Sequence, residues 1–309
     1  MDLSRQTADA TGKRFPVDLL CQLLEVPKSS YYEYLRRLKE QRRAEHKERR
    51  RPGPKVQVDD DGLLVCIREV LADSPFHTEG VRKVHARLRR RGMRVARERV
   101  NRVMRQAGLL SPQRIEQEKA EKNHDGTIIP KTINRLWGTD ATMFGTADGS
   151  LYWLFAVIDH YSDEVLGVHV VEQGSGDRWA ALEPIKQAVR KIRGAAGRNI
   201  GEGIAIRHDW GPQYIANDFK HELAYLGLGN SPAFQHEPET NGVIERFFQT
   251  LNWECLWVEH FLTLDDARSK IATWIETYNS HWLIERHGHR TPREVRQACE
   301  AQQLGSAVA

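Results

Sequence analysis

Residues 135–144 read Arg135-Leu-Trp-Gly-Thr-Asp140-Ala-Thr-Met-Phe144. Apolar and small side chains surround one carboxylate, and the segment has the texture of a buried β-strand. A lone buried aspartate is costly unless something compensates its charge. Asp140 therefore needs a hydrogen-bonding partner, a cation, or a place at the open edge of a cleft. Working outward, strands are expected over 136–144, 151–159 and Val165 to Val171, with the Asp148-Gly149 turn joining the first two as a hairpin. A helix is expected over about 177–193, and then a short strand, Gly203-Ile-Ala-Ile-Arg-His-Asp209, that ends in an acid. A further helix carries Phe219, Leu223 and Leu226. It is followed by a loop with Pro232 and Pro238, and by a long helix from about Asn241. Three strands followed by alternating helices and strands predict an α/β unit with a mixed sheet.

The chain has 309 residues, 40% hydrophobic and 28% charged, which suits a soluble globular protein of two or three units. The apolar run Leu151 to Ile158 is too short to span a bilayer, and the N-terminal stretch has no apolar core of a secretory signal. Cys21, Cys66, Cys255 and Cys299 are scattered without metal-ligand spacing, so a reducing, cytoplasmic setting is expected. The net charge of +4 is uneven. Residues 1–125 carry 29 Lys and Arg against 19 Asp and Glu, whereas residues 126–309 carry 17 against 23. The basic front half suggests a polyanionic partner, most simply nucleic acid. The acidic back half would repel that partner unless cations intervene.

Residues 15–44 suggest two short helices separated by Pro27-Lys-Ser-Ser, and the basic run that ends in Pro52-Gly-Pro54 reads as a linker. Over 60–110, Val81, Val84 and Leu88 form one helical stripe and Val100, Val103, Met104 and Ala107 another, with Gly92 between them. This fits a helix-turn-helix. Between Arg82 and Arg105 stand eleven Lys or Arg and one acid, Glu98. A solvated basic face would account for them. Their density on both helices favours contact with DNA phosphates, and Arg82, Lys83, Arg87, Arg97, Arg99 and Arg102 are the candidates. Residues 113–134 read as a second linker.

Three acids stand at element edges. Asp140 lies in the first strand, Asp209 ends a later one, and Glu245 flanks the stripe Ile244, Phe247, Phe248, Leu251 and Cys255. Taken singly, each has a structural explanation as a cap, a turn residue or a solvated helix residue. Together they suit phosphodiester transfer, in which two divalent cations held roughly 3.5–4 Å apart serve the attacking and leaving oxygens. Mg²⁺ prefers such carboxylate oxygens, and bound cations relieve the mutual repulsion of clustered acids. Between Asp209 and Glu245 lie 35 residues.

The chain resembles the transposases of bacterial insertion sequences, in the group related to retroviral integrases. The resemblance is carried by Trp137-Gly-Thr-Asp140-Ala-Thr, His208-Asp209-Trp-Gly-Pro-Gln-Tyr214 and Asn241-Gly-Val-Ile-Glu245-Arg-Phe, with the 35-residue spacing. Tyr278-Asn279, Arg290-Thr-Pro292 and the stretch from Gly80 to Gly108-Leu-Leu add to it, so that it runs from about Phe15 to Arg296. It implies an RNase H-like catalytic fold and DNA transposition. It also implies Asp140, Asp209 and Glu245 as catalytic metal ligands for two Mg²⁺ ions, which Mn²⁺ can replace. The implied partners are element-end and target DNA, further copies of the chain, and the product of an upstream reading frame or a fusion to it, in the bacterial nucleoid.

The domains expected are a helical segment with basic linker at 1–55, a helix-turn-helix region at 56–112, a linker at 113–134, the catalytic domain at 135–298 and a tail at 299–309. Relatives usually carry Lys or Arg seven residues after the glutamate. Here Asn252 stands there, as a DNA contact without charge. No zinc-binding front domain is expected, and His281, His287 and His289 read as surface residues. Trp179, Trp253, Trp257, Trp274 and Trp282 read as packing residues, while Trp210, beside Asp209, is a candidate for stacking on DNA. Two rival functions fit less well: a nuclease that only hydrolyses, and a DNA-binding regulator or relic without catalysis.

Overall fold

The computed structural model describes residues 16–48, 58–111, 130–233 and 241–308. They fall into two compact units, Met1–Asp59 and Asp60–Ala309. In the first, α1 (Val17–Leu23) and α2 (Lys28–Glu48) meet across the Pro27 corner. The second helix is longer than its sequence suggested. It runs 21 residues, well into the basic stretch, because nothing before Pro52 breaks it. The rest of that linker, and most of the one expected at 113–134, lie outside the described residues.

The second unit begins with a three-helix bundle of α3 (Asp60–Ala72), α4 (Val81–Arg90) and α5 (Arg97–Gln106). Leu63, Ile67, Val70, Val84, Leu88, Val100, Val103 and Met104 form its core. Gly92, at φ +81°, makes the turn after α4, a left-handed conformation that glycine adopts without strain.

The sheet has five strands in the order β3-β2-β1-β4-β5: β1 (Leu136–Gly145), β2 (Leu151–Asp159), β3 (Val165–Glu172), β4 (Ala205–His208) and β5 (Gly229–Pro232). The first three are antiparallel, whereas β4 runs parallel to β1 and β5 to β4. This mixed sheet with helices on both faces is RNase H-like. The fifth strand stands where a loop around Pro232 is expected. Gly-Asn-Ser-Pro has neither alternation nor β-branched residues, and it forms a strand only by pairing with the edge of β4. Pro232 is tolerated at such an edge.

Alternation along β2 sends Leu154, Ala156 and Ile158 to one face and Phe155 and Val157 to the other. The first face is covered by α9 (Gly242–Leu251) and α10 (Leu264–His281). The second is covered by α6 (Arg178–Arg193), the single turn α7 (Pro212–Ile215) and α8 (Asn217–Leu226). At Gly167 a Cβ would fall 2.1 Å from the Pro184 carbonyl oxygen, so only glycine lets α6 lie this close to β3. The expected long helix from Asn241 changes form part-way: α9 ends at Leu251 and runs on without a break as a π turn, Asn252–Leu256.

The last helix, α11 (Pro292–Val308), is held by a buried ion network. Arg296 bonds the Glu164 carboxylate, lies 3.8 Å from Asp159, and donates to Asn134 Oδ1 at 3.1 Å. Lys191 Nζ reaches Glu164 at 2.8 Å. Asp159 also accepts the amides of Asn134 (2.7 Å) and Ser162 (2.8 Å) and the Ser162 hydroxyl (2.9 Å). No helix among the described residues is long and apolar enough to cross a membrane. Arg296→Met should leave two buried carboxylates short of a cation and cost about 3–5 kcal/mol, seen as a lower urea midpoint at unchanged slope. An unchanged midpoint would show that Arg296 is not what compensates them.

Candidate active site and DNA-facing surface

Asp140 pairs with Ala156 in the middle of β1. Strand alternation puts it on the same face as Phe144, the face that α9 covers. Its Oδ1 accepts the Ala141 amide at 2.8 Å. Burial is the main influence on the carboxyl and pushes it up to about 7; the Ala141 bond opposes this, and the charges of Asp209 and Glu245 add to it. Asp209 and Glu245 are thus both close enough for their charges to act on Asp140. Asp209 follows the last residue of β4, is exposed, and accepts the Gly211 amide at 2.9 Å. Glu245 lies exposed in the first turn of α9, where the helix dipole favours negative charge. Among the described residues, no three His, Cys, Asp or Glu side chains close up into a cation-sized cluster. The donor set still fits a hard divalent cation: oxygen ligands only, and a carboxylate that burial and two like charges hold in need of a counter-charge.

Neighbouring residues set the positions of the acids. The Asn241 side-chain amide, just before α9, donates to the Thr139 carbonyl at 3.4 Å, tying that helix to the strand of Asp140. The Thr139 hydroxyl bonds Ala156 O at 3.0 Å. Gly138 leaves room for a neighbour, since a Cβ there would fall 2.5 Å from His160 Nε2. The His208 ring faces the Asp209 carbonyl through Nδ1 (2.6 Å) and Asn230 Oδ1 through Nε2 (2.7 Å), and it stacks on Tyr214. Burial and then Asp140's charge hold the Tyr214 phenol well above its usual range. These supports were not read from the sequence, although Gly138, His208, Tyr214 and Asn241 all lie in the motif words around the acids.

Trp210 is half exposed, and its Nε1 donates to Ala233 O at 2.8 Å, which fixes the ring beside Asp209. The expectation that most of the other tryptophans pack inside needs correcting. Trp274 and Trp282 do so, but Trp179, Trp253 and Trp257 are exposed, with Trp257 at 65%. They lie at helix ends, where spacing alone does not reveal the outer face. Two of the three histidines are also less superficial than expected. His287 and His289 are half-buried, and His287 Nε2 lies 2.6 Å from Tyr161 O.

The basic candidates divide by environment. Arg97 is exposed, with Glu98 3.4 Å away. Arg99 and Arg102 both pair with Asp60 at 2.8 Å, and Arg82 pairs with Glu285 at 2.7 Å. Lys83 and Arg87 do not face solvent. Lys83 lies over the Trp282 ring, and Arg87 pairs with the buried Glu79 at 2.6 Å. Both are turned inward because α4 packs against the region around α10. Asn252 opens the π turn, half-buried, with its carbonyl accepting the Trp257 amide at 2.9 Å. Arg89 and Arg105, on the same two helices, are exposed as well. Arg89 joins Arg82, Arg90 and Arg97 in lining a cavity of about 590 Å³ between α4, α5 and the 285–289 turn.

With this arrangement in view, the comparisons are specific. Residues 58–116 match the HTH-like domain family, and residues 231–300 match the integrase core domain family. The putative transposase InsK of insertion sequence element IS150 from Escherichia coli (strain K12) is 24% identical over 91% of this chain and 94% of its own. The transposase of insertion sequence element IS629 from Shigella sonnei is 26% identical over 94% of each. Over nearly its whole length the chain is similar to transposases of insertion sequences. A chain of the simian T-cell lymphotropic virus intasome, solved in complex with the PP2A regulatory subunit B56 gamma, superposes with a TM-score of 0.44 at 19% identity, over 68% of this chain and 69% of that one.

Two outcomes are expected. In an unfolded chain Asp140 would titrate near its ordinary 3.8, and in the fold it does so near 7. Between these values the unfolded state releases a proton that the fold retains, so stability falls as pH rises through that window. Asp140→Asn should remove this penalty. Without metal, the variant should be more stable than wild type at pH 8 by at least about 1 kcal/mol, and equal to it near pH 4, in thermal melts. Equal melting at pH 8 would mean that the carboxyl ionises there without strain. The second outcome concerns DNA. Replacing Arg89, Arg97 and Arg105 together with Ala should flatten the log–log salt dependence of DNA binding by about 0.9 for each phosphate that the protein ceases to neutralise. An unchanged slope would place the backbone-binding surface elsewhere.

Proposed function

We propose that the chain is a transposase that cuts DNA at the ends of an insertion sequence and joins the freed 3′-OH to a second phosphodiester. The observation that carries this reading is the placement of three acids on adjoining elements: Asp140 in the central strand β1, Asp209 directly after its neighbour β4, and Glu245 in the first turn of α9, which covers the Asp140 face. In the cutting step, water attacks the phosphorus and the 3′-oxygen leaves as the new hydroxyl. In the joining step that hydroxyl attacks a target phosphodiester and displaces another 3′-oxygen, with no covalent protein intermediate. Asp140, Asp209 and Glu245 would hold two Mg²⁺ ions, which supply Lewis-acid stabilisation of the attacking and leaving oxygens. Asn241 and His208 keep the strand, loop and helix that bear the acids in register. The exposed arginines of α4 and α5 hold the DNA backbone. No side chain is assigned as a general base. Element-end and target DNA are the partners, gathered by more than one copy of the chain, with an upstream-frame product as a further component.

Incubation of labelled element-end duplexes with a target duplex and Mg²⁺ should give joined products that disappear in EDTA. Asp209→Asn should lower the joining rate by ~10³-fold or more, a barrier increase of several kcal/mol, while end binding persists in a mobility-shift assay. Nicks without joined products would favour a hydrolytic nuclease. Full joining by Asp209→Asn would exclude the metal mechanism, and binding without any cutting would favour a regulator or relic.

A further inference from the structure

A buried carboxylate of the catalytic core reaches the segment that joins α3 to α4. Glu254 lies in the π turn that continues α9, nine residues after Glu245, and is 4% exposed. One of its oxygens accepts the His77 amide at 2.7 Å. The other accepts the Thr78 amide at 2.9 Å and also the Thr78 hydroxyl. These donors belong to the segment joining α3 to α4. Hydrogen bonds to a charged acceptor are among the stronger ones, and they are stronger when water is excluded. Phe76 covers the joint, its ring edge-on to Trp282 with centroids 4.8 Å apart. Further along, Arg90 bonds Glu294 and the His289 carbonyl, each at 2.7 Å, and Arg87 reaches the His281 carbonyl at 3.2 Å. The bundle is fixed along the length of α4, while α5 keeps Arg97 and Arg105 exposed.

The joint lies on the same continuous helical segment as Glu245. A shift of the bundle would therefore pull on the helix that carries a candidate catalytic acid. We propose that Glu254 is a positioning residue: it locks the DNA-binding bundle to the helix of Glu245, so the distance from the sequence held by α5 to the phosphate presented to the three acids is set by the fold of one chain. This rests on the strand-transfer reading above. It differs from a tethered DNA-binding module, for which the DNA or a partner would set that distance.

The test uses the full chain and the terminal-repeat duplex of the element that encodes it. Glu254→Gln keeps the shape but turns an NH₂ toward one of the backbone N–H donors. Without DNA, the amides of His77 and Thr78 should exchange with solvent at least about tenfold faster in Glu254→Gln, and those of Val100 and Met104 at unchanged rates, because the bundle core is intact. With DNA, wild type should cut one phosphate at a fixed distance from its hydroxyl-radical footprint. Two base pairs inserted between the footprint and the cut should leave that distance unchanged. Glu254→Gln should keep the footprint and spread its cuts over several neighbouring phosphates, and the milder Thr78→Val should spread them less. Fast exchange of His77 and Thr78 in wild type would overturn the lock. So would a single sharp cut by Glu254→Gln. A wild-type chain that binds the duplex and cuts nothing would instead overturn the strand-transfer reading, with the exchange measurement still deciding the lock.

Discussion

Asp140 stands opposite Ala156 in the middle of the sheet, where water is mostly excluded and two other acids are within electrostatic reach. A carboxylate in that position raises the free energy of the fold that holds it. The surrounding structure keeps it there. β1 is paired on both sides, antiparallel to β2 and parallel to β4, so the strand cannot slide to carry the charge out to solvent. The Asn241 side chain ties the start of α9 to the carbonyl of the preceding residue, Thr139. Packed apolar layers on both faces resist adjustment. The fold thus fixes Asp140 where its charge needs an external counter-charge.

At the β2–β3 turn, a second set of buried charges is compensated. Asp159 and Glu164 flank the β2–β3 turn and are met by Arg296, Lys191 and backbone amides. The contrast separates structural acids from candidate catalytic ones better than burial does. Asp159 is the more deeply buried, yet it has cationic and amide partners, whereas Asp140 faces like charges.

Much of this was legible in the sequence, for identifiable physical reasons. The run Leu151 to Ile158 can only be a strand covered on both faces, and Asp148-Gly149 fixes the hairpin beside it. The stripe Ile244, Phe247, Phe248, Leu251 and Cys255 is buried as its spacing requires. Other features depend on tertiary partners. β5 is a strand because of its neighbour, and the π turn after Leu251 leaves no compositional mark. The density of arginine around α4 was visible, but not the direction of each side chain. Lys83 and Arg87 share that composition with Arg89, yet they serve the joint with the core. The supports of the triad were hidden because glycine, histidine and asparagine have no periodic signature.

Gly138 has a bearing on how such genes decay. Mobile elements persist as many copies, each drifting on its own, and a copy with all three acids is readily counted as alive. A single methyl at Gly138 would fall 2.5 Å from Nε2 of the buried His160 and 3.1 Å from Asn241 Oδ1, so both neighbours would have to give way. The displacement would pass into the helix of Glu245 without altering any acid. A census of living and dead copies by their carboxylates alone would therefore count some silent genes as active.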